Sequence, residues 1–175
     1  MAEPFVLHPD GSLQARWLAH EGLVDLRCLE DTVDAVQAIL QIELPRLANR
    51  CISRSDIAIY WMAPLQWLIR VPEPDEQGLA AKLMQFSTDA GHASVTVVSD
   101  AFVGLRLEGS GASRVLSEGC SLDLESLEQG LCARTLLARA QIMLIPLHSA
   151  GGYDLFVDRS HADYLQQWIK AAANC

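Results

Sequence analysis

Residues 57–71 read Ile57-Ala58-Ile59-Tyr60-Trp61-Met62-Ala63-Pro64-Leu65-Gln66-Trp67-Leu68-Ile69-Arg70-Val71. Two runs rich in β-branched and aromatic residues flank Ala63-Pro64-Leu65, a spacing that predicts a β-hairpin of strands 57–62 and 66–71. Strands joined by so short a turn pair antiparallel. Pro72-Glu73-Pro74-Asp75 makes a further turn. A helix is expected from about Glu76 to Gln85, with Leu79, Leu83 and Phe86 on one face and Trp67 or Leu68 in the core beneath it.

The same order returns near the C-terminus. Residues 141–145 and 153–157 read as strands about a turn through Ser149-Ala150-Gly151-Gly152. Tyr164, Leu165, Trp168, Ile169 and Ala172 then fall at helical spacing, with Ser160 as the expected cap and Asp163 in the first turn. Between these segments, 94–98 and 102–107 are strand-like, Val103, Leu105 and Leu107 alternating with Gly104 and Arg106. Ser110 is expected to cap a short helix holding Ala112, Val115 and Leu116, which Gly119 ends in the left-handed conformation. Upstream, Asp31 is expected to cap a helix with Val33, Val36, Ile39 and Leu40 on its apolar face, limited by Pro45. Residues 1–27, with a turn at His8-Pro9-Asp10-Gly11, are expected as an N-terminal leader docking on the body or on a partner, and 28–175 as one domain. Helices must cover one face of such sheets. The fold class expected is α+β: antiparallel sheets, helices packed on one face, and a strand-strand-helix pseudo-repeat.

The chain has 175 residues, half of them hydrophobic and 20% charged, which fits a soluble globular protein. Its net charge of -9 argues against nucleic acid, which needs a basic face, and against an anionic membrane surface. No apolar run approaches the roughly 20 residues that span a bilayer. Met1-Ala2-Glu3-Pro4 lacks the opening of a secretory signal, so a cytoplasmic location is expected. Cys28, Cys51, Cys120, Cys132 and Cys175 are odd in number and widely spaced, which fits reduced thiols better than a disulfide framework.

Chemistry-bearing constellations are sparse. No Cys-x-x-Cys or His-x-x-x-His pair occurs, so no metal is expected. Ser160 and His161 are neighbours, and neighbours on a helix do not face each other. Gly109-Ser110-Gly111 lies between a strand and a helix start, where free N–H groups can hold an anion. Arg114 stands where a dinucleotide fingerprint needs its third glycine, so a tight turn is the plainer reading. No catalytic, cofactor-binding or metal residue is assigned. Tyr60 and Trp61 alternate onto opposite faces of their strand, and Trp17 and Leu18 make the leader apolar. These four residues form the candidate partner interface, since interfaces enrich Trp and Tyr.

Several stretches together carry a family resemblance. They are Ile59 to Ile69, Leu107 to Cys120 followed by Leu122-Asp123-Leu124, Gly130-Leu131-Cys132-Ala133-Arg134-Thr135, Tyr153 to Ser160 with Trp168 in register, and Leu44-Pro45 before Asn49-Arg50. In this order they resemble the gamma subunit family of heterotetrameric sarcosine oxidase, over roughly residues 25–173. Val98-Ser99-Asp100-Ala101-Phe102 departs from the family pattern. The resemblance implies a shortened relative of the folate-binding aminomethyltransferase fold of glycine cleavage. It implies no active site in this chain. FAD, FMN, NAD and tetrahydrofolate would be held by larger alpha and beta flavoprotein subunits, and zinc by a small delta subunit. The function it implies is a structural subunit of an enzyme that oxidatively demethylates an N-methyl amino acid. Sarcosine, N-methylglutamate and related amines all fit the sequence. A stand-alone folate-dependent aminomethyltransferase-like protein and an interaction protein outside the oxidase are the alternatives.

Overall fold

A computed structural model describes residues 5–7, 12–90, 93–147 and 151–174. In chain order it contains β1 (Phe5–Val6), β2 (Gln14–Trp17), β3 (Glu21–Cys28), α1 (Val33–Leu40), β4 (Cys51–Arg54), β5 (Ile57–Ala63), β6 (Gln66–Pro72), α2 (Glu76–Ala90) and β7 (Ala93–Val97). There follow β8 (Phe102–Glu108), α3 (Ala112–Ser117), β9 (Ala133–Leu137), β10 (Ala140–Pro146), β11 (Tyr153–Asp158) and α4 (Ala162–Ala173). The elements divide between two compact units, Glu21–Ser99 and Met1–His20 with Asp100–Cys175.

In the Glu21–Ser99 unit the strand order is β4-β5-β6-β3-β7, antiparallel throughout. The two-residue loop Pro64-Leu65 closes the expected hairpin, with Ala63 opposite Gln66. Val33, Val36 and Leu40 of α1 and Ala80 and Leu83 of α2 pack on Val24, Leu26, Ile59, Trp67, Ile69 and Val71. Trp67, rather than Leu68, is the core residue of this layer. Its indole N–H donates to the Pro45 carbonyl at 2.8 Å, which satisfies the one polar atom such a burial would otherwise strand. Each fully buried aliphatic side chain here contributes about 1.5–3 kcal/mol of burial free energy.

The other unit has the order β1-β2-β8-β11-β10-β9, again antiparallel. Val115 and Leu116 of α3 and Leu165 and Ile169 of α4 pack on Leu105, Leu107, Ile142, Leu144, Leu155 and Val157. The fold is therefore α+β, with two antiparallel sheets and helices on one face of each.

The pseudo-repeat runs deeper than strand-strand-helix. The chain order strand-strand-helix-strand-strand-strand-helix occurs twice, from β2 to α2 and from β7 to α4. The registers of β3–β6 and β8–β11 coincide when Pro72 is set on Asp158: Trp67↔Leu26 then falls on Tyr153↔Leu107. A single 3-10 turn follows each of these third strands, at Glu73–Asp75 and Arg159–His161. Pro72 (φ −54°, ψ 141°) matches Asp158 (φ −49°, ψ 132°), and Glu76 and Ala162 share φ −56°, ψ −52°. The first strand of each repeat is exchanged: β2 lies beside β8, and β7 beside β3.

Several expectations change. The stretch read as a leader contributes β2 and most of β3, and β3 is an inner strand with both neighbours paired. Its boundary at residue 27 falls inside β3. The short outer strands β4 and β9 had no counterpart in the reading. Asp31, Ser110 and Ser160 do not cap helices: α1, α3 and α4 start from Thr32, Gly111 and His161 with no side-chain cap bond. α1, α2 and α4 are entered through a 3-10 turn, whose i→i+3 bonds satisfy donors a cap would otherwise serve. The His8–Gly11 turn and Ser149-Ala150 lie outside the described residues.

Gly119 is not left-handed either. Glycine is required there by close approach, because a Cβ would sit 2.5 Å from the Trp168 ring and 3.0 Å from the Ala138 nitrogen. Gly119→Val is therefore expected to destabilise the chain by about 1–3 kcal/mol. A Cβ at Gly78 of α2 meets nothing within 4 Å, so Gly78→Ala is expected to stabilise by about 0.5–1 kcal/mol. Chemical denaturation followed by circular dichroism reads both.

Candidate functional site

Each cluster that the sequence singled out has a definite place. Ser160 and His161 lie exposed in the 3-10 turn before α4, with Oγ and Nδ1 3.3 Å apart. The adjacent Arg159 donates to the Asp100 carbonyl at 2.7 Å. A nucleophile pair needs a third group that orients the base. Neither the exposure nor the bonding of these two residues provides one.

At Gly109-Ser110-Gly111 the space an anion would need is filled by the chain itself. The Gly111 N–H donates to the Ser12 carbonyl at 3.0 Å. That carbonyl oxygen lies 2.3 Å from where a Cβ of Gly109 would be, and Gly109 has φ +110°, a conformation few other residues adopt. The glycines serve a chain crossing, not a phosphate.

The cysteines also have structural surroundings. Cys120 Sγ lies 3.8 Å from the Thr135 hydroxyl, and Cys28, Cys120 and Cys132 are buried. Among the described residues no group of three or more His, Cys, Asp and Glu is placed to hold a metal.

Two buried polar groups went unread in the sequence. Asp154, 2% exposed, accepts two hydrogen bonds from the Arg106 guanidinium, at 2.6 and 2.8 Å. This fork-to-fork geometry suits Arg alone among the cations. Glu76, also buried, contacts the Ser99 hydroxyl, which accepts the Leu23 N–H at 2.7 Å. The signal for the first was a charge of opposite sign within each of two largely apolar strands. For the second there was none, since Glu76 stands at an ordinary first-turn position.

The four candidate interface residues separate. Tyr60 is 2% exposed and so is interior to the chain. Trp17 packs against the core of its unit, and its indole N–H donates to Gln166 at 3.3 Å. Leu18 fills the space beside Gly104. Trp61 stays partly exposed near the end of β5, beside a turn through residues 47–50: its N–H donates to the Arg50 carbonyl, and the Arg50 N–H donates to the Leu47 carbonyl. At the same end of the sheet a cleft of about 510 Å³ is lined by Cys28, Leu29, Pro64, Leu65 and Ala93, with Arg27, Gln66 and Ser94 at its polar side.

The chain as a whole is similar to known proteins. The model of the sarcosine oxidase, gamma subunit family matches residues 30–175. No curated protein matches the chain. Among solved structures, heterotetrameric sarcosine oxidase from Corynebacterium sp. U-96, in complex with pyrrole 2-carboxylate, is similar with a TM-score of 0.83 and 22% identity, over 93% of this chain and 84% of that chain. Glycine cleavage system aminomethyltransferase T from Bartonella henselae is similar with a TM-score of 0.65 and 13% identity, over 89% of this chain and 44% of that one. These likenesses establish the shared fold, and this chain spans less than half of the aminomethyltransferase.

Burial raises the Cys28 thiol above its ordinary range; the Thr32 hydroxyl and the Arg46 charge offset part of that. A raised value leaves less thiolate at every pH, and thiolate is the reactive form. Cys51, partly exposed, is expected to be alkylated by iodoacetamide at neutral pH, and Cys28 only at distinctly alkaline pH or after denaturation. Peptide mass spectrometry after timed labelling checks this. Equal labelling of the two at neutral pH would contradict it.

Proposed function

Because this chain belongs to the sarcosine oxidase gamma subunit family, we propose that it is the non-catalytic gamma subunit of a heterotetrameric flavoenzyme that oxidatively demethylates an N-methyl amino acid. One observation carries the reading: the family match extends from before α1 to the C-terminus, so both helical layers and most strands of both sheets lie within it. The placement of the sequence-derived clusters supports a structural role. The glycine turn is filled by Ser12, the Ser160–His161 pair is exposed and unoriented, and the buried ion pair joins two strands.

Removing hydride or electrons from a C–H bond requires a cofactor to accept them. In this reading FAD, FMN, NAD and tetrahydrofolate belong to the larger alpha and beta subunits, and zinc to a small delta subunit. Among the described residues no helix is long and apolar enough to cross a membrane. We place the complex in the cytoplasm. The gamma chain covers apolar surface on a large subunit and holds the assembly together. Trp17, Leu18 and Trp61, each partly exposed, are proposed to contribute to that contact.

Co-expression of the chain with the large flavoprotein subunits of its complex tests this. A stoichiometric complex carrying flavin absorbance is expected from size-exclusion chromatography, with amine oxidation only in the assembled enzyme. Flavin bound by the isolated 175-residue chain, or oxidation of sarcosine by it, would overturn the assignment.

A further inference from the structure

We propose that one end of the Glu21–Ser99 unit is the face that docks a large subunit of the complex, through an apolar patch of Leu29, Leu47, Trp61, Pro64 and Leu65 with an acidic rim. The inference rests on the subunit reading above and adds to it where the partner sits and what it must present.

Three separate loops meet at this end. The Cys28 N–H donates to the Leu65 carbonyl at 3.2 Å, joining the end of β3 to the hairpin tip. The Leu47 turn is tied to Trp61 through Arg50, at 3.3 and 3.0 Å. Arg46 pairs with Glu30, so Leu29 and Leu47 flank a single ion pair. Leu29 is 51% and Leu47 69% exposed, and each is the chain neighbour of one partner of that ion pair. Beside them opens the 510 Å³ cleft lined by Leu29, Pro64 and Leu65. A cleft flanked by exposed leucines and a Trp has the makeup of an interface core, where a partner's apolar side chain fills a pocket.

Charge indicates what that partner carries. Glu30, Asp31 and Asp34 all lie exposed at the start of α1, and only Glu30 is paired with a cation, Arg46. Asp34 accepts instead from the neutral Gln37. Counting Arg27, Arg46 and Arg50 against Asp25, Glu30, Asp31 and Asp34 leaves an excess of one negative charge, set at the start of α1, and the surface complementary to that side is an apolar segment bordered by Lys or Arg. A second copy of this acidic chain would set like charges against each other.

Leu65 has φ +59°, the left-handed region that bulky L residues avoid. Its side chain packs partly on the core of its own unit and lines the mouth of the cleft, so the hairpin tip is held in place there.

The test uses the co-expressed complex, with binding measured by size exclusion and by surface titration of purified chain against the large subunits. Leu29→Arg with Leu47→Arg is expected to weaken association on the order of tenfold or more. Leu136→Arg, at an equally exposed leucine on β9 of the other unit, is expected to leave it unchanged. Asp31→Asn with Asp34→Asn, which removes the charges and keeps a side-chain acceptor at the start of α1, is expected to slow association and flatten its salt dependence. Wild-type assembly with unimpaired binding by the folded leucine and aspartate variants would overturn the proposed face, as would loss of binding in Leu136→Arg. A wild-type homodimer dispersed by Leu29→Arg would overturn the choice of occupant. Failure of the wild type to join any large subunit would instead overturn the subunit reading and the face with it.

Discussion

Backbone pairing of β2 with β8 and of β3 with β7 is the interaction on which the remaining structure depends. Each of these bonds a strand to the sheet of the other repeat. Just past each exchanged strand the same bond recurs: Leu18 N–H to the Gly104 carbonyl at 2.8 Å, and Val98 N–H to the Leu23 carbonyl at 2.8 Å. The six-stranded sheet cannot be completed from one contiguous stretch of chain, whereas the five-stranded sheet lies within Glu21–Ser99 but needs a strand of the second repeat. β8 needs β2, nearly ninety positions earlier, as its outer neighbour, and β3 needs β7 from beyond α2. Long loops must close before those ladders reward them, so the order of assembly favours the local hairpins β5–β6 and β10–β11 as early structure.

The local hairpins are also what could be read in the sequence. Alternation and a proline turn fix Ile57–Ala63 against Gln66–Pro72 to within a residue at each end. Inner strand β3 was hidden because Leu23 and Val24 are both buried, on opposite faces, which erases the alternation a half-buried strand displays. Strands β4 and β9 were hidden for the opposite reason. Cys51–Arg54 and Ala133–Leu137 are short outer strands with polar residues, and nothing in them exceeds a loop's usual composition. Capping failed as a guide because Ser160 and Asp31 sit inside 3-10 turns that do the cap's work with backbone carbonyls.

At the candidate surface, the parity of Tyr60 and Trp61 was legible but their exposure was not. Alternation says that two neighbours face opposite ways. It cannot say which face another segment covers. Tyr60 is enclosed, whereas Trp61 lies where β5 slips register near Ala63 and meets the 47–50 turn. Leu29 and Leu47 had no signal at all, since a single leucine in a loop looks the same whether it is tucked in or left bare. The Glu30–Arg46 contact links the two segments that carry them.

The two repeats have diverged at equivalent positions, and the divergence follows a physical division of labour. With Pro72 on Asp158, the ion pair Arg106–Asp154 falls on Asp25–Leu68. In one sheet a cross-strand guanidinium meets a buried carboxylate in a bidentate pair. In the other the carboxylate faces a leucine and turns instead to Gln66 at 2.7 Å and Arg27 at 3.3 Å. Gln66 and Arg27 are themselves wall residues of the cleft. A buried pair costs desolvation and specifies register, while removing one partner leaves a stranded charge. The pair in one sheet therefore locks its strands against slippage. The corresponding carboxylate in the other orients polar groups at the rim of an apolar opening. The same aromatic position shows the same split. Tyr153 reaches Ser113 on α3 with its hydroxyl at 3.0 Å, whereas Trp67 ties down Pro45, at the base of the loop that presents Leu47. One repeat has spent its polar contacts on internal order, and the other on holding loops in place at its exposed end.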